Sequence, residues 1–456
     1  MNQAIIDYYR CPEDAVDFRL AGTLSDDPGY FRFGPQTICY GNSSSGTRGN
    51  LVSDTLYDAL PDSEAYDGLV YLPFDPDEII ENLRYEHYRI GADRSPTRLG
   101  DHPIVRNLYY RMRPFFPVLI RKYLQRAHLS DWKDIRFPKW PVDRTVEELL
   151  ERLLILSMKA RGVRRVPFVW FWPDAWRSCA LMTHDVEHRA GRDFCSQLMD
   201  LDDSFGIKAS FQIVPEERYP VSEGFLGGIT GRGFEINVHD LNHDGMLFGD
   251  HAEFLRRAKR INAYGKKYGA VGFRSGALLR NQHWLEALEF SYDMSVPSVG
   301  HLDSHRGGCC SVMPFFIGKI LELPVTAIQD YTLFHILDDY SAGLWREQSE
   351  AISDKHGLVS FIVHPDYVIE KRARATYRVL LEHLARMRDE RKTWIALPSE
   401  VDRWWRERSK LEVVSDGGGW RVEGQGKERA RLAFADLSGD ELTFTIAETP
   451  ARPVVA

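Results

Sequence analysis

From about Ala180 to Pro398 short apolar runs alternate with stretches of helical periodicity, the pattern of successive strand–helix units. The runs are CALMTHD, ASFQIVP, FEINVHD, AVGFRSG, SYDMSVP, KILELPV, GLVSFIVHP and TWIALP. Helical stretches lie between them, around residues 190–205, 250–268, 281–290, 342–356 and 371–391. Seven or eight strands in this order predict an α/β fold, a (β/α) barrel of distorted TIM type, with an open doubly wound sheet as the alternative. In either, polar residues just beyond the strand ends line the site.

The flanking segments read differently. Residues 1–175 form a mixed region: irregular or β-like to about 95, with the short runs GYFRFGPQTICYG and GLVYLPF, and helical from about Pro103. In VDRTVEELLERLLILSMKARG the residues Leu149, Leu150, Leu153, Leu154 and Met158 recur at helical spacing, and Thr145 with Glu148 matches a capping box. Residues 176–410 hold the barrel and a last helix from Ser399 to about Lys410. Residues 411–456 return to period-two alternation with Gly-rich turns, a small C-terminal β appendage.

The 456 residues exceed what one core usually serves, so a main domain with appended regions is expected. Hydrophobic residues at 43% and charged residues at 27% are ordinary for a globular chain and exclude a disordered or fibrous one. With 58 Lys and Arg against 66 Asp and Glu, the charge of −8 offers no general attraction to nucleic acid or anionic lipid. No window reaches the roughly 18 apolar residues of a spanning helix, and the N-terminus lacks a signal-peptide pattern, so a cytoplasmic protein with no membrane span is expected. Six cysteines without paired spacing are expected to be free thiols. Nothing in the pattern sets an oligomeric state.

Candidate chemistry sits at the ends of the runs. FEINVHDLNHDG places His239 and His243 four residues apart after a strand, a pair suited to a divalent metal, although paired surface histidines share the spacing. LMTHDVEH places Asp185 and Glu187 two apart, one to bind metal and the other to accept a proton from water, or both to complement a helix N-terminus. GLVSFIVHPDY delivers His364 at a strand end, either a general acid toward a departing amine or a hydrogen-bonded structural imidazole. Arg274 in GFRSG supplies a fixed charge suited to a carboxylate.

Taken in order, THDVE, ASFQ, EINVHDLNH, GFRSG and FIVH resemble the motifs of the polysaccharide deacetylases, the NodB-homology or carbohydrate esterase 4 family. That family reads roughly T-F-D-D-G, A-T-F-F, E-I-x-x-H-x-x-x-H, an Arg loop and L-x-x-H at these places. The resemblance implies a metal-dependent hydrolase of a linear amide, an N-deacetylase of an N-acetylated sugar or glycan, with a divalent metal, zinc first, as cofactor. It implies His239 and His243 as metal ligands, Asp185 as base, Arg274 as its orienting partner and His364 as acid. Val186 stands where the family has a second acid, so Glu187 becomes the third ligand, with the reverse assignment of Asp185 and Glu187 left open. The Arg loop lacks its usual proline, and Asp293 in SYDMS matches the family's aspartate-and-Trp motif only in part. Asp293 and Asp330 are the substrate-contact candidates. An allantoinase-like enzyme acting on a non-sugar amide and a silent carbohydrate-binding barrel are the alternatives.

Overall fold

The computed structural model describes residues 1–46, 48–89, 126–127, 129–390, 392–415, 417 and 419–447. Two compact units divide the chain, one of residues 89–144 and 177–402, the other of residues 1–88, 145–176 and 403–456. The helical pattern read from about Pro103 to 128 lies almost wholly outside the described residues.

All eight expected strands form in the first unit, with one addition. They are β1 (Ser178–Val186), β2 (Ser210–Ile213), β3 (Glu235–His239), β4 (Gly272–Arg274), β5 (Tyr292–Asp293), β6 (Phe315–Ile317), β7 (Ile320–Glu322), β8 (Leu358–Ile362) and β9 (Thr393–Ala396). The addition is β6, which folds back on β7 through a two-residue turn with Gly318 at φ 55°, a conformation in which glycine carries no Cβ penalty. The sheet runs β6-β7-β5-β4-β3-β2-β1-β8, with β9 also on β1. Every pairing except β6 with β7 is parallel.

The longest strand of the sheet is β1, whose nine residues are all buried. Along one edge it pairs with β8; along the other, β9 takes its first half and β2 its second. Two strands fanning from one edge curl the sheet. At the far end Val325 pairs with Pro297, and the Ala327 N–H donates to the Ser360 carbonyl of β8 at 3.1 Å. The outcome is a distorted, incompletely laddered barrel rather than an open doubly wound sheet.

Helices α1 (Arg189–Ser204), α2 (Glu223–Thr230), α3 (His251–Tyr268), α4 (Gly343–Ser353) and α5 (Lys371–Asp389) connect the strands. Their ends follow local chemistry. Asp250 accepts the Glu253 N–H to start α3, and Gly269 ends it in the left-handed region at φ 65°. Glu370 accepts two N–H groups at the start of α5. The stretch read as helical over 281–290 is a short 3-10 segment, Gln282–Ala287. Gly-rich α2 escaped notice because its composition disfavours a helix; Ser222 caps it.

One face of the sheet is apolar. Met182, Phe211, Ile213, Phe361 and Val363 pack with Phe194, Leu198, Trp345, Leu380 and Leu384 from the helices. Burying each such side chain contributes about 1.5–3 kcal/mol. The alternate residues turn the other way and are polar: Asp185, Gln212 and Asn237 stand in register on β1, β2 and β3. There Asn237 Nδ2 and Gln212 Nε2 both donate to Ser210 Oγ, at 2.6 and 2.8 Å.

In the second unit the helix Thr145–Ala160 buries all five of its expected apolar residues. The C-terminal alternation forms the hairpins Glu412–Ser415 with Trp420–Glu423 and Leu432–Ser438 with Glu441–Ile446. The second hairpin gains an antiparallel edge strand, Arg165–Val169, where Pro167 is tolerated because an edge leaves one side unpaired. The six cysteines are free and buried. Among the described residues no helix is long and apolar enough to cross a membrane.

Candidate metal centre

Four strand ends meet in the first unit. Asp185 is the penultimate residue of β1, and Glu187 follows its last residue; His239 ends β3, Arg274 ends β4, and His364 lies two residues past β8. Parallel pairing sets Arg274 beside His239, so residues distant in the chain become neighbours.

One carboxylate oxygen of Glu187 and one ring nitrogen each of His239 and His243 lie within 4.8 Å of one another. Glu187 Oε1 is 2.8 Å from His243 Nε2 and 3.7 Å from His239 Nε2. His239 Nδ1 is 3.1 Å from the Arg274 carbonyl, which only accepts, so Nδ1 carries the hydrogen and Nε2 is left with its lone pair. Both Nε2 atoms are buried without an aligned hydrogen bond. A buried polar atom left so costs about 1–3 kcal/mol. Two convergent imidazoles and one carboxylate fit a divalent cation, and a three-ligand set of this kind keeps positions open for water and substrate. Burial disfavours charge on both Glu187 and His243, yet their attraction outweighs it: the carboxyl is held well below its usual range and the imidazole is raised. A cation held there by Glu187, His239 and His243 would compete with the proton on His243.

The second carboxylate is pinned by an arginine. Asp185 Oδ1 accepts from Arg274 Nη1 at 2.6 Å, and Asp185 Oδ2 is 3.7 Å from His239 Nε2. Arg274 is itself fixed, donating to Thr183 Oγ1 at 2.8 Å and through Nε to the Met294 carbonyl at 3.0 Å. Burial pushes the Asp185 carboxyl up, but Arg274, with His239 and His364, holds it below its ordinary value. Both acids come within 3.7 Å of His239 Nε2, but Glu187 pairs with His243 and Asp185 with Arg274.

His364 Nδ1–H donates to Asp330 Oδ1 at 2.7 Å, and its backbone N–H donates to Oδ2 at 2.7 Å. Its Nε2 lies 3.4 Å from Glu187 Oε1. Burial opposes a charged ring, but Asp330 and then Glu187 raise the imidazole well above its usual value. The two carboxylates expected to touch substrate are both turned to protein partners. Asp330 is fully buried behind His364, and Asp293 accepts the Ser295 N–H at 3.1 Å and hydroxyl at 2.7 Å.

No family model matches the chain, and no curated protein matches it. The solved structures that it resembles include polysaccharide deacetylases. One classed as such from Mycobacterium smegmatis is 20% identical over 52% of this chain and 93% of its own, with a TM-score of 0.43. Puue allantoinase is 13% identical over 51% and 92%, at 0.41. Peptidoglycan deacetylase PdaC from Bacillus subtilis is 10% identical over 51% and 93%, at 0.33. Likenesses this distant carry no chemistry, which rests on the side chains.

His184, between Thr183 and Asp185, carries no recognisable motif of its own. It faces the helices, with Nδ1 3.0 Å from the Val363 carbonyl and Nε2 3.0 Å from Asp202 Oδ2; Tyr377 donates to Asp202 Oδ1 at 2.6 Å. This buried network ties the Asp185 strand to the residue before His364. A polar residue within an apolar run was its only signal.

Proposed function

We propose that this chain is a metal-dependent hydrolase that removes the acetyl group from an N-acetylated sugar or glycan. The observation that carries the proposal is the joint geometry of a Glu187, His239 and His243 ligand group with a pinned carboxylate and a backed imidazole beside it. A divalent metal, zinc first, held by those three residues supplies Lewis acidity, lowering the pKa of water and polarising a carbonyl. Asp185, kept ionised and aimed by Arg274, takes a proton from water as it adds to the amide carbon. His364, kept protonated by Asp330, donates to the nitrogen as the C–N bond breaks, giving a carboxylate and a free amine. Asp330 and Asp293 serve as positioning groups. The order of the motifs supports a sugar substrate. So do half-buried aromatic rings beside the acid: Tyr367 is centred 4.8 Å from the His364 ring and Tyr331 5.9 Å from Tyr367.

The test is the zinc-loaded protein incubated with N-acetylglucosamine oligomers and, separately, with a ureide panel. Release of acetate and of free amine from the oligomers alone is expected. Ureide turnover without acetate release rejects the sugar substrate, and no product from either with one bound metal per chain rejects the hydrolase.

A further inference from the structure

The metal-ligand loop is held in a costly shape. His243 and Asp240 both adopt left-handed backbone conformations, φ 55° and 56°, which side chains other than glycine rarely take. Beyond β3 the carbonyls of residues 241, 242 and 243 have no strand ladder to donate to them, and one short segment after β2 supplies donors to all three. The Glu216 N–H donates to the Leu241 carbonyl at 3.1 Å. Arg218 Nε donates to the Asn242 carbonyl at 3.0 Å, and its Nη2 donates to the His243 carbonyl.

The next residue grips the other ligand. Tyr219, buried, donates its hydroxyl to the Val186 carbonyl at 2.6 Å and accepts the Val214 N–H at 3.1 Å. Val186 is the residue before Glu187. The pair therefore holds the backbone at His243 on one side and at Glu187 on the other, the two ligands whose Nε2 and Oε1 stand 2.8 Å apart. Gly276 leaves this loop room from the opposite direction, since a Cβ there would come within 2.6 Å of Asp240 Oδ2 and 3.2 Å of His243 Nε2.

We propose that Arg218 and Tyr219 are positioning residues that set the spacing of the metal ligands, an inference that rests on the metal-centre reading. Both reach backbone carbonyls rather than ligating atoms. Arg218 also places a positive charge near a centre meant for a cation, so its electrostatic contribution opposes binding and its geometric contribution favours it. The two contributions predict opposite signs when the residue is changed.

The experiment titrates apoprotein with cobalt(II), following its visible absorption, with zinc(II) competition for affinity, in wild type, Arg218→Met, Arg218→Lys and Tyr219→Phe. Thermal unfolding of each apoprotein is recorded alongside. Affinity is expected to fall about 10-fold or more in both Arg218 variants, the usual scale for groups that orient ligands, with an altered cobalt spectrum, and to fall by less in Tyr219→Phe. Lysine keeps the charge but not the fork, so it should not rescue. Affinity equal to or tighter than wild type in the Arg218 variants, with only the unfolding temperature changed, overturns the proposal. If Arg218→Met does not fold, Arg218→Lys and Tyr219→Phe decide the matter. A wild-type protein that takes up no cobalt refutes the metal centre itself, a different result from variants that bind as wild type does.

Discussion

The two sides of the centre differ in how their polar atoms are satisfied. On one side, Glu187, His239 and His243 crowd three donor atoms together and leave two buried imidazole nitrogens without aligned partners. On the other, each working group already has its partner: Asp185 has Arg274, and His364 has Asp330. Protein interiors satisfy their buried polar groups, so three convergent ligand atoms with poorly aligned nitrogens mark where a cation fits, while a pair closed by aligned hydrogen bonds marks a group whose charge is being held. The contrast is what supports the proposed division, with binding on the first side and proton transfer on the second.

Exchanging charges across that divide breaks the comparison most sharply. Glu187→Gln removes a ligand, so metal stoichiometry by elemental analysis should fall well below one per chain, and turnover should fall by about the 10³-fold or more expected when a catalytic metal is lost. Asp185→Asn should lose about 10²–10⁴ in kcat, the typical worth of a general base, while keeping its metal. Metal loss in Asp185→Asn, with retention in Glu187→Gln, would reverse the assignment of the two acids.

A subtler break acts on His364 through its neighbour. Asp330 is a main reason this imidazole stays protonated above its ordinary pKa of about 6.5, so the alkaline limb of kcat/KM in wild type should lie above that pH. Asp330→Asn removes the charge, and the limb should move to lower pH, with about a 10-fold loss at pH 8 and much less at pH 6. The acid limb, set by Asp185 and lying below the ordinary carboxylate range, should not move. A uniform loss at every pH would make Asp330 a packing residue only.

Much of this arrangement was legible in the residues, and the remainder has physical reasons for being hidden. Apolar runs announce strands because a parallel sheet is covered on both faces, and chemistry collects at their ends because a barrel opens there. His239, His243, Asp185, Arg274 and His364 were therefore visible. The different partners of Asp185 and Glu187 were not, because they depend on β1 ending at Val186, with Asp185 in the strand and Glu187 beyond it. Nor does a loop carboxylate declare its partner: Asp330 meets an imidazole 34 residues away, and only folding separates that role from contact with substrate. Arg218 and Tyr219 act on backbone carbonyls, which no side-chain motif records.

The smallest expected effect lies away from the centre, at a second pair of crowded acids. Asp293 and Glu322 stand in register on β5 and β7, both buried, and Glu322 Oε1 accepts the Val296 N–H at 3.0 Å. Burial first, and for Glu322 then the neighbouring Asp293, raises its carboxyl well above its usual value; Asp293 is raised as well. A carboxyl whose pKa is higher in the fold than in the unfolded chain holds more protons when native, so its stability is complete below about pH 4 and declines as pH rises through the folded value. Glu322→Gln takes away the group that must ionise in a buried place. Relative to wild type, its unfolding temperature should rise from pH 4 to pH 8 by about 2–4 °C, what roughly 1 kcal/mol produces in a domain of this size. Calorimetry at the two pH values measures it, and a difference that stays constant with pH would show that the pair does not share a raised proton affinity.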